Sequence, residues 1–305
     1  MKDLNGCPVC GSGNMSLRYV GYTNRCPSDN KKWQVFYCED CKHGFLNPQL
    51  EWVDLEPYYS SSYSAYEPHH GSSVADDKVT VQQALEAGEF RHLPLPRGKR
   101  LLDVGCGGGY FIRISQMLGA TVKGIEPSAA GAKVARESGL DVFHGMLDDY
   151  VAQKDADSSF DVISANHVLE HTPDPVATLL KMKKLLADNG LIWISVPNAS
   201  GLFATRLRED WNSTDLPLHL HQFSMHSLAL AGEKSGLRVK RIYTSSMSSA
   251  VADSLRVYLR KKCFIPHCLT GRIGWLNRGF SSRLAARLDR QNQGEAIIVE
   301  FSAAA

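Results

Sequence analysis

Residues 100–110, Arg-Leu-Leu-Asp-Val-Gly-Cys-Gly-Gly-Gly-Tyr, decide the fold of this 305-residue chain. The apolar run 100–104 predicts a short buried strand, and the glycines after it predict a tight turn into a helix. Four more apolar runs follow, at 121–126, 141–145, 160–165 and 191–196, with helical segments between them. The last of these helices is expected to end at Asn189-Gly190. This alternation predicts an α/β fold with a doubly wound parallel sheet.

Two further runs, 238–244 and 295–301, predict a final antiparallel pair of strands at the sheet edge. An insert at about 247–294 separates them, and its segment 254–291 holds nine Lys or Arg against Asp289 alone. A helix within 255–265, ended by Pro266, is expected to carry much of this charge. Two interpretations stay open for the insert: a solvated basic face, or contact with an anionic acceptor or a membrane surface.

Two carboxylates stand at the ends of the first two predicted strands, where folds of this kind bind ligands. Asp103 lies in the strand just before the glycines, where it would repel a pyrophosphate and would suit a cationic cofactor. Glu126 ends the second strand, from which a carboxylate can accept hydrogen bonds from both ribose hydroxyls. A nucleoside with a cationic tail is S-adenosylmethionine.

Four segments in order resemble the motifs of class I S-adenosylmethionine-dependent methyltransferases: LLDVGCGGGYF (101–111), GIEPS (124–128), FDVISANHVLEH (160–171) and LLADNGLIWISVPN (185–198). The resemblance covers about residues 99–246 and implies a Rossmann-like sheet whose last strand is antiparallel. It also implies a set of cofactor-binding residues. These are Asp103, Gly105 and Gly107 on the methionine and ribose side, Glu126 on the ribose, Met146, Leu147 and Asp148 at the adenine, and Ala165 and Asn166 beside the methyl donor.

The N-terminal segment carries two C-x-x-C pairs, Cys7-Pro-Val-Cys10 and Cys38-Glu-Asp-Cys41. Two such pairs can bring four thiolates into the tetrahedral arrangement that Zn²⁺ prefers. A redox-active pair and unrelated buried thiols are the alternatives. We predict a structural zinc at these cysteines within a small N-terminal module, residues 1–50.

A Tyr- and Ser-rich bridge, 51–98, is expected to join this module to a methyltransferase domain at 99–305. Most of the bridge has neither helical nor strand periodicity, and a helix is expected within 78–90. Tyr59 and Tyr63 lie in the irregular part. We predict that they close over the cofactor as a lid.

The zinc module, the bridge and HLHQFS (219–224) together resemble bacterial sugar, polysaccharide or natural-product methyltransferases. The resemblance implies O- or C-methylation of a small-molecule, nucleotide-sugar or glycan acceptor. It also implies that His219, in an H-x-x-x-F-S element, faces the methyl group. Since imidazole accepts protons near neutral pH, His219 is the first candidate base and His167 the second. Alternatively, His219 only hydrogen-bonds the lid.

The composition weighs against other functions. The formal net charge is +2, from 34 Lys and Arg against 32 Asp and Glu, which gives no general reason to expect nucleic-acid binding. A ribosomal-RNA base methyltransferase with a zinc module is the alternative function, and a non-enzymatic binding module is a third. No apolar run reaches membrane-spanning length, and the N-terminus lacks a secretory signal, so we expect a cytoplasmic protein. The oligomeric state is not predicted.

Overall fold

The computed structural model describes residues 1–23, 31–58, 78–86, 93–153, 159–266, 270 and 279–304. Two sheets and ten α-helices are present in this part of the chain. The strands are β1 (Met15–Tyr22), β2 (Lys32–Cys38), β3 (Gly44–Leu46), β4 (Arg100–Val104), β5 (Thr121–Glu126), β6 (Val142–His144), β7 (Phe160–Asn166), β8 (Leu186–Pro197), β9 (His221–Gln222), β10 (Leu237–Ser245) and β11 (Ala296–Ala303). The helices are α1 (Trp52–Leu55), α2 (Lys78–Glu86), α3 (Tyr110–Met117), α4 (Ala129–Glu137), α5 (Leu147–Val151), α6 (Pro175–Leu185), α7 (Leu202–Leu207), α8 (Met225–Lys234), α9 (Ser248–Lys262) and α10 (Gly279–Arg290).

The large sheet has seven strands in the order β10-β11-β8-β7-β4-β5-β6. Strands β4 to β8 pair in parallel, whereas β11 runs antiparallel to both β8 and β10. Helices connect the parallel strands, as right-handed crossovers require. This arrangement confirms the predicted class I methyltransferase fold with its antiparallel last strand.

Local sequence explains where several helices begin. Asp174 accepts a hydrogen bond from the Ala177 N–H at 2.9 Å, and Pro175 takes the first helical position of α6, where its missing N–H is not needed. Ser224 caps α8 by accepting from the Ser227 N–H at 3.1 Å.

The expected end of α6 at Asn189-Gly190 is wrong. The helix ends at Leu185, and β8 already begins at the next residue. The pairing of β7 with β8 skips from Leu186 to Leu191, so the Asn-Gly turn is a bulge inside the strand.

The small sheet has the order β1-β2-β3-β9, all antiparallel. Its first three strands belong to the N-terminal segment, but β9 comes from His221–Gln222, far away in the sequence. Gly44 pairs with Gln222 and Phe45 with His221. Main-chain pairing therefore joins residues 44–46 directly to the segment that follows His219. The end of the N-terminal module at residue 50 stays a prediction.

The insert lies at the end of the large sheet where the parallel strands finish. Ala296 pairs with Pro197, the last residue of β8, and Ser245 at the end of β10 pairs with Ala296 as well. Helices α9 and α10, which connect these two points, therefore lie near the carboxyl edge of the sheet. Helix α9 begins earlier than the expected basic segment and ends at Lys262, four residues before Pro266.

The described part of the insert packs through an apolar cluster of its own. Val251 from α9 and Leu288 from α10 are buried against Phe203 and Leu207 of α7, together with Trp211. The Trp211 indole N–H donates to the Glu295 carboxylate at 2.9 Å, just before β11. No helix within the described ranges combines the length and apolar character needed to cross a bilayer.

Candidate functional site

The glycine loop after β4 adopts a left-handed backbone, which favours glycine. Gly105, Gly107 and Gly109 all have positive φ angles, of 70°, 55° and 88°. A Cβ at Gly105 would also lie 2.5 Å from a methyl group of Val168. The loop thus passes very close to the turn after β7, and the following α3 turns its amino end toward the loop.

Asp103 is buried directly beneath this loop and is 5% exposed. Its Oδ1 accepts a hydrogen bond from the Ser164 hydroxyl of β7 at 2.6 Å. Burial raises the pKa of Asp103 to about 7, the Ser164 hydrogen bond opposes this, and the charge of Glu126 adds to it. A cationic ligand beside Asp103 would stabilise the ionised carboxylate.

Glu126 closes the other side of the loop. Its Oε2 accepts from the Gly107 N–H at 2.8 Å, and its Oε1 accepts from the Ser128 N–H at 2.9 Å. Burial raises the pKa of Glu126, while these two hydrogen bonds lower it. The carboxylate is held at a fixed place, and each oxygen has a further lone pair for a ribose hydroxyl.

The residues expected at the adenine lie at the start of α5. Met146 is the residue before this helix, and its N–H donates to Asp149 Oδ2 at 3.0 Å. Leu147 is buried. Asp148 forms an ion pair with Lys181, so its carboxylate is engaged on α6.

The structure describes two of the four remaining residues that are predicted to bind the cofactor. Ala165 is fully buried in the core. Asn166, the next residue, is exposed at the end of β7. Tyr59 and Tyr63 lie outside the described residues.

His167 stands at the mouth of the site with a positive φ of 55° and a half-exposed ring. Its Nδ1 lies 3.1 Å from Oε1 of the fully buried Glu170. The pair has the geometry of a base oriented by a carboxylate.

His219, the first candidate base, lies in a buried position just before β9. It is only 8% exposed, and its Nδ1 is 2.8 Å from the Ser213 carbonyl oxygen. One ligand atom from each of Glu170, His171 and His219 lies within 4.8 Å of the others. Sequence patterns do not reveal this cluster, because it joins segments that lie far apart in the chain. For example, Nδ1 of His171 is 2.9 Å from the carbonyl oxygen of Leu218, which lies 47 residues further along.

The electrostatics of the cluster follow from its burial. Burial raises the pKa of Glu170, but the His167 hydrogen bond and the neighbouring histidines lower it to about 2. Burial and the charge of His219 lower the pKa of His171 to about 4. The carboxylate is therefore ionised at neutral pH, and the His171 imidazole is neutral.

The four N-terminal cysteines come together as predicted. Cys7 Sγ lies 3.4 Å from Cys41 Sγ, and Cys10 Sγ lies 3.5 Å from Cys38 Sγ. In a tetrahedral site with Zn–S bonds of about 2.3 Å, the sulfurs would be ~3.8 Å apart. All four ligand atoms lie within 4.8 Å of one another, so the cluster fits a small zinc module.

Comparison with known proteins adds independent findings. Residues 80–242 match a family described as a methyltransferase domain. The chain is 39% identical over 114 residues to a ubiquinone biosynthesis O-methyltransferase of Pasteurella multocida, which is 33% of this chain and 47% of that protein. It is 31% identical over 156 residues to the enzyme of the same name from Pseudomonas aeruginosa, covering 48% of this chain and 67% of that protein.

Among solved structures, the chain is similar to a SAM-dependent methyltransferase from Archaeoglobus fulgidus. The TM-score is 0.48 at 19% identity, over 72% of this chain and 93% of that one. The chain spans about half the length of the first curated relatives that it matches.

Proposed function

Because this chain belongs to the methyltransferase-domain family, we propose that it transfers a methyl group from S-adenosylmethionine to a hydroxyl oxygen of a small-molecule acceptor. One observation carries the proposal: two buried carboxylates, Asp103 and Glu126, flank a glycine loop at the carboxyl edge of the sheet. When bound, S-adenosylmethionine supplies an electrophilic methyl carbon. The residues of the chain bind that donor, position the acceptor and remove the acceptor's proton.

The geometry supports separate tasks for the two carboxylates. Asp103 is buried and hydrogen-bonded to the neutral Ser164 hydroxyl, so a cation beside it would relieve the cost of its ionisation. It therefore suits the cationic methionine end of the donor. Glu126 suits the ribose, since two backbone N–H groups already hold its oxygens in place. Met146, Leu147 and Asn166 are proposed to complete the site through backbone and side-chain contacts.

We assign the role of general base to His167 in preference to His219. A base must reach the proton that it removes, and His167 is half-exposed at the mouth of the site, whereas His219 is buried. Glu170 accepts from Nδ1 of His167 and so leaves Nε2 to take the acceptor's proton.

Oxygen is the acceptor atom that the relatives support. The matched proteins are named O-methyltransferases of ubiquinone biosynthesis. Phenols, with a pKa of about 10, also lose a proton to imidazole more readily than alkyl alcohols do. Nucleotide-sugar and glycan acceptors, C-methylation and a role in polysaccharide or secondary-metabolite synthesis are the alternative proposals.

The test is a methylation assay on the purified protein with S-adenosylmethionine and three acceptor classes. These are catechol- and hydroquinone-type phenols, nucleotide sugars and a ribosomal-RNA transcript. We expect the mass of one methyl group to be added to a phenol, with release of S-adenosylhomocysteine. Methylation of RNA alone would replace this proposal with the RNA alternative.

Asp103→Asn and Glu126→Gln are each expected to weaken S-adenosylmethionine binding by about 10- to 150-fold, because a hydrogen bond to a charged group contributes about 1.5–3 kcal/mol. Glu126→Gln should also remove one hydrogen bond within the protein. The new amide NH₂ would face the backbone N–H of Gly107 or Ser128, each of which now donates to an oxygen of Glu126. Isothermal titration calorimetry measures both affinities.

The matched control for these two variants is Asp141→Asn. Asp141 is an exposed carboxylate beside the same sheet, and it pairs with Lys123 at 2.9 Å. Its loss should leave the affinity unchanged. Wild-type affinity in both Asp103→Asn and Glu126→Gln would contradict the assigned site.

S-adenosylmethionine affinity is expected to rise with pH up to about 7. Burial raises the pKa of Asp103 to about 7 in the ligand-free protein, and a cationic ligand favours the ionised form. Binding below this pH must release a proton, so the affinity at pH 6 should be about tenfold weaker than at pH 8. Calorimetry at the two pH values, in buffers of different ionisation enthalpy, reports the affinity and the proton release. Asp103→Asn should abolish the difference; if the variant keeps it, another group is responsible.

We further propose that Cys7, Cys10, Cys38 and Cys41 hold a structural Zn²⁺. The sulfur separations fit a single tetrahedral ion, and four thiolates leave no open position for chemistry. The ion would stabilise the module whose β3 pairs with β9.

The basic insert is proposed to contact an anionic membrane surface or an anionic acceptor. Phe264, just beyond α9, is 86% exposed and follows Arg260 and Lys262. An exposed aromatic ring beside basic side chains is typical of interfacial segments. Lys261 instead pairs with Asp210 at 3.0 Å.

The double variant Arg260→Glu/Lys262→Glu is expected to weaken binding to vesicles that contain anionic phospholipid. Each basic side chain near such a surface contributes about 1 kcal/mol, so loss of the two positive charges should by itself weaken partitioning about 30-fold, and the two new negative charges should weaken it further. Flotation with anionic and with neutral vesicles measures this. Lys133→Glu, a charge reversal at an exposed residue of α4, is the control. If the wild type and both variants float equally well with anionic vesicles, the insert does not bind the membrane and its basic side chains only face solvent.

A further inference from the structure

We infer that Glu170, His171 and His219 form a second metal site, separate from the cysteine cluster and suited to Zn²⁺ or a similar divalent transition-metal ion. One ligand atom from each residue lies within 4.8 Å of the other two. Glu170 and His171 belong to the short turn after β7, whereas His219 lies just before β9. The fold therefore brings together ligands that the sequence keeps far apart.

The orientation of both imidazole rings fits metal binding. Nδ1 of His171 is 2.9 Å from the Leu218 carbonyl oxygen, and Nδ1 of His219 is 2.8 Å from the Ser213 carbonyl oxygen. Donation from Nδ1 to a backbone carbonyl fixes the tautomer in which Nε2 coordinates a metal, as is usual for metal-binding histidines. The two rings meet edge to face with their centroids 4.7 Å apart.

The Glu170 carboxylate is the second observation that indicates a ligand. It is fully buried, and its Oε2 has no hydrogen-bond partner among the described residues, while Oε1 is used by His167. A buried carboxylate oxygen without a hydrogen-bond partner is unfavourable. A cation bound at Oε2 removes that penalty, and Asp215, 3.9 Å from Nε2 of His219, adds negative charge nearby.

Two imidazoles and one carboxylate are a ligand set that zinc and related ions prefer. Ligand atoms around one tetrahedral ion, at bonds of about 2.0–2.2 Å, would be ~3.3–3.6 Å apart, so side-chain movements of about 1 Å complete the site. Three protein ligands leave at least one coordination position for an oxygen ligand. The two metal sites are expected to differ in chemistry, one closed by sulfur and one open.

The functional consequence of the second site rests on the proposed function. One carboxylate would link the ion, through Oε2, to the candidate base His167, through Oε1. The ion would thus be a positioning group that holds Glu170 and, through it, the His167 ring.

Metal stoichiometry tests the site without any methylation assay. Protein purified without chelator is titrated with Zn²⁺, and bound zinc is measured by elemental analysis. We expect two zinc ions per wild-type chain, and one per chain in Glu170→Gln and in His219→Ala. Substitution with Co²⁺ separates the sites spectroscopically, because only the cysteine site gives sulfur-to-metal charge-transfer absorption.

His226→Ala is the matched control, since His226 lies in the same segment but is exposed on α8. It should keep two zinc ions. Each variant is accepted as folded only if it binds S-adenosylhomocysteine as the wild type does. One zinc ion per wild-type chain after titration, or two in Glu170→Gln, overturns the inference. Neither result depends on whether the protein methylates a phenol.

Discussion

His167→Ala is expected to lower kcat for a phenolic acceptor by about 10²–10⁴-fold, the usual contribution of a positioned general base. S-adenosylmethionine affinity should stay at the wild-type value, because His167 follows β7, whereas the two carboxylates of the proposed donor site lie on β4 and β5. A phenol at neutral pH is mostly protonated, so without the imidazole few acceptor molecules can react. Steady-state kinetics with calorimetric binding of S-adenosylhomocysteine separates the two effects.

His219→Ala distinguishes His167 from the other candidate base. If His219 supports the site from within the buried cluster, its loss should reduce kcat less than loss of His167 does, and it should also reduce the bound zinc. His226→Ala should retain wild-type turnover. Full activity in His167→Ala, with loss of activity only in His219→Ala, would transfer the role of base to His219.

Cys38→Ser is expected to remove one zinc ion per chain and to unfold the N-terminal module. Binding of a structural zinc is coupled to folding and contributes about 10–16 kcal/mol in small zinc modules, so loss of one thiolate affects the whole segment. Because β3 pairs with β9, we expect turnover to fall as well. Donor binding should persist, since Asp103 and Glu126 lie on the other sheet.

Elemental analysis, thermal unfolding and hydrogen exchange of the amides in 44–46 measure these effects. Cys263→Ser is the matched control: Cys263 is an exposed cysteine outside the cluster, and its loss should change neither zinc content nor stability. A Cys38→Ser protein that keeps its zinc and its protected β3 amides would show that these thiols do not hold a structural metal.

Features set by short-range patterns could be predicted from the sequence. The alternation of apolar runs and helices was sufficient to predict the parallel part of the large sheet. Parallel strands are buried and therefore apolar, and the crossover connections between them are right-handed. Asp103, Glu126 and the glycine loop could be placed for the same reason, since the carboxyl ends of parallel strands meet at one edge. The cysteine cluster could also be predicted, because the spacing within each C-x-x-C pair allows both thiolates to bind the same metal ion. The bulge at Asn189-Gly190 was not predicted, because a turn dipeptide looks the same inside a strand as after a helix.

Tertiary structure alone decided which histidines are accessible and which are buried together. The pairing of Phe45 with His221 and the cluster of Glu170, His171 and His219 join segments far apart in the chain. No local periodicity encodes such contacts, because they depend on how whole elements pack. The sequence therefore determined the fold and the edge of the sheet where the proposed donor site lies. Only the folded chain determined that the His167 side chain is half-exposed while His219 is buried close to Glu170.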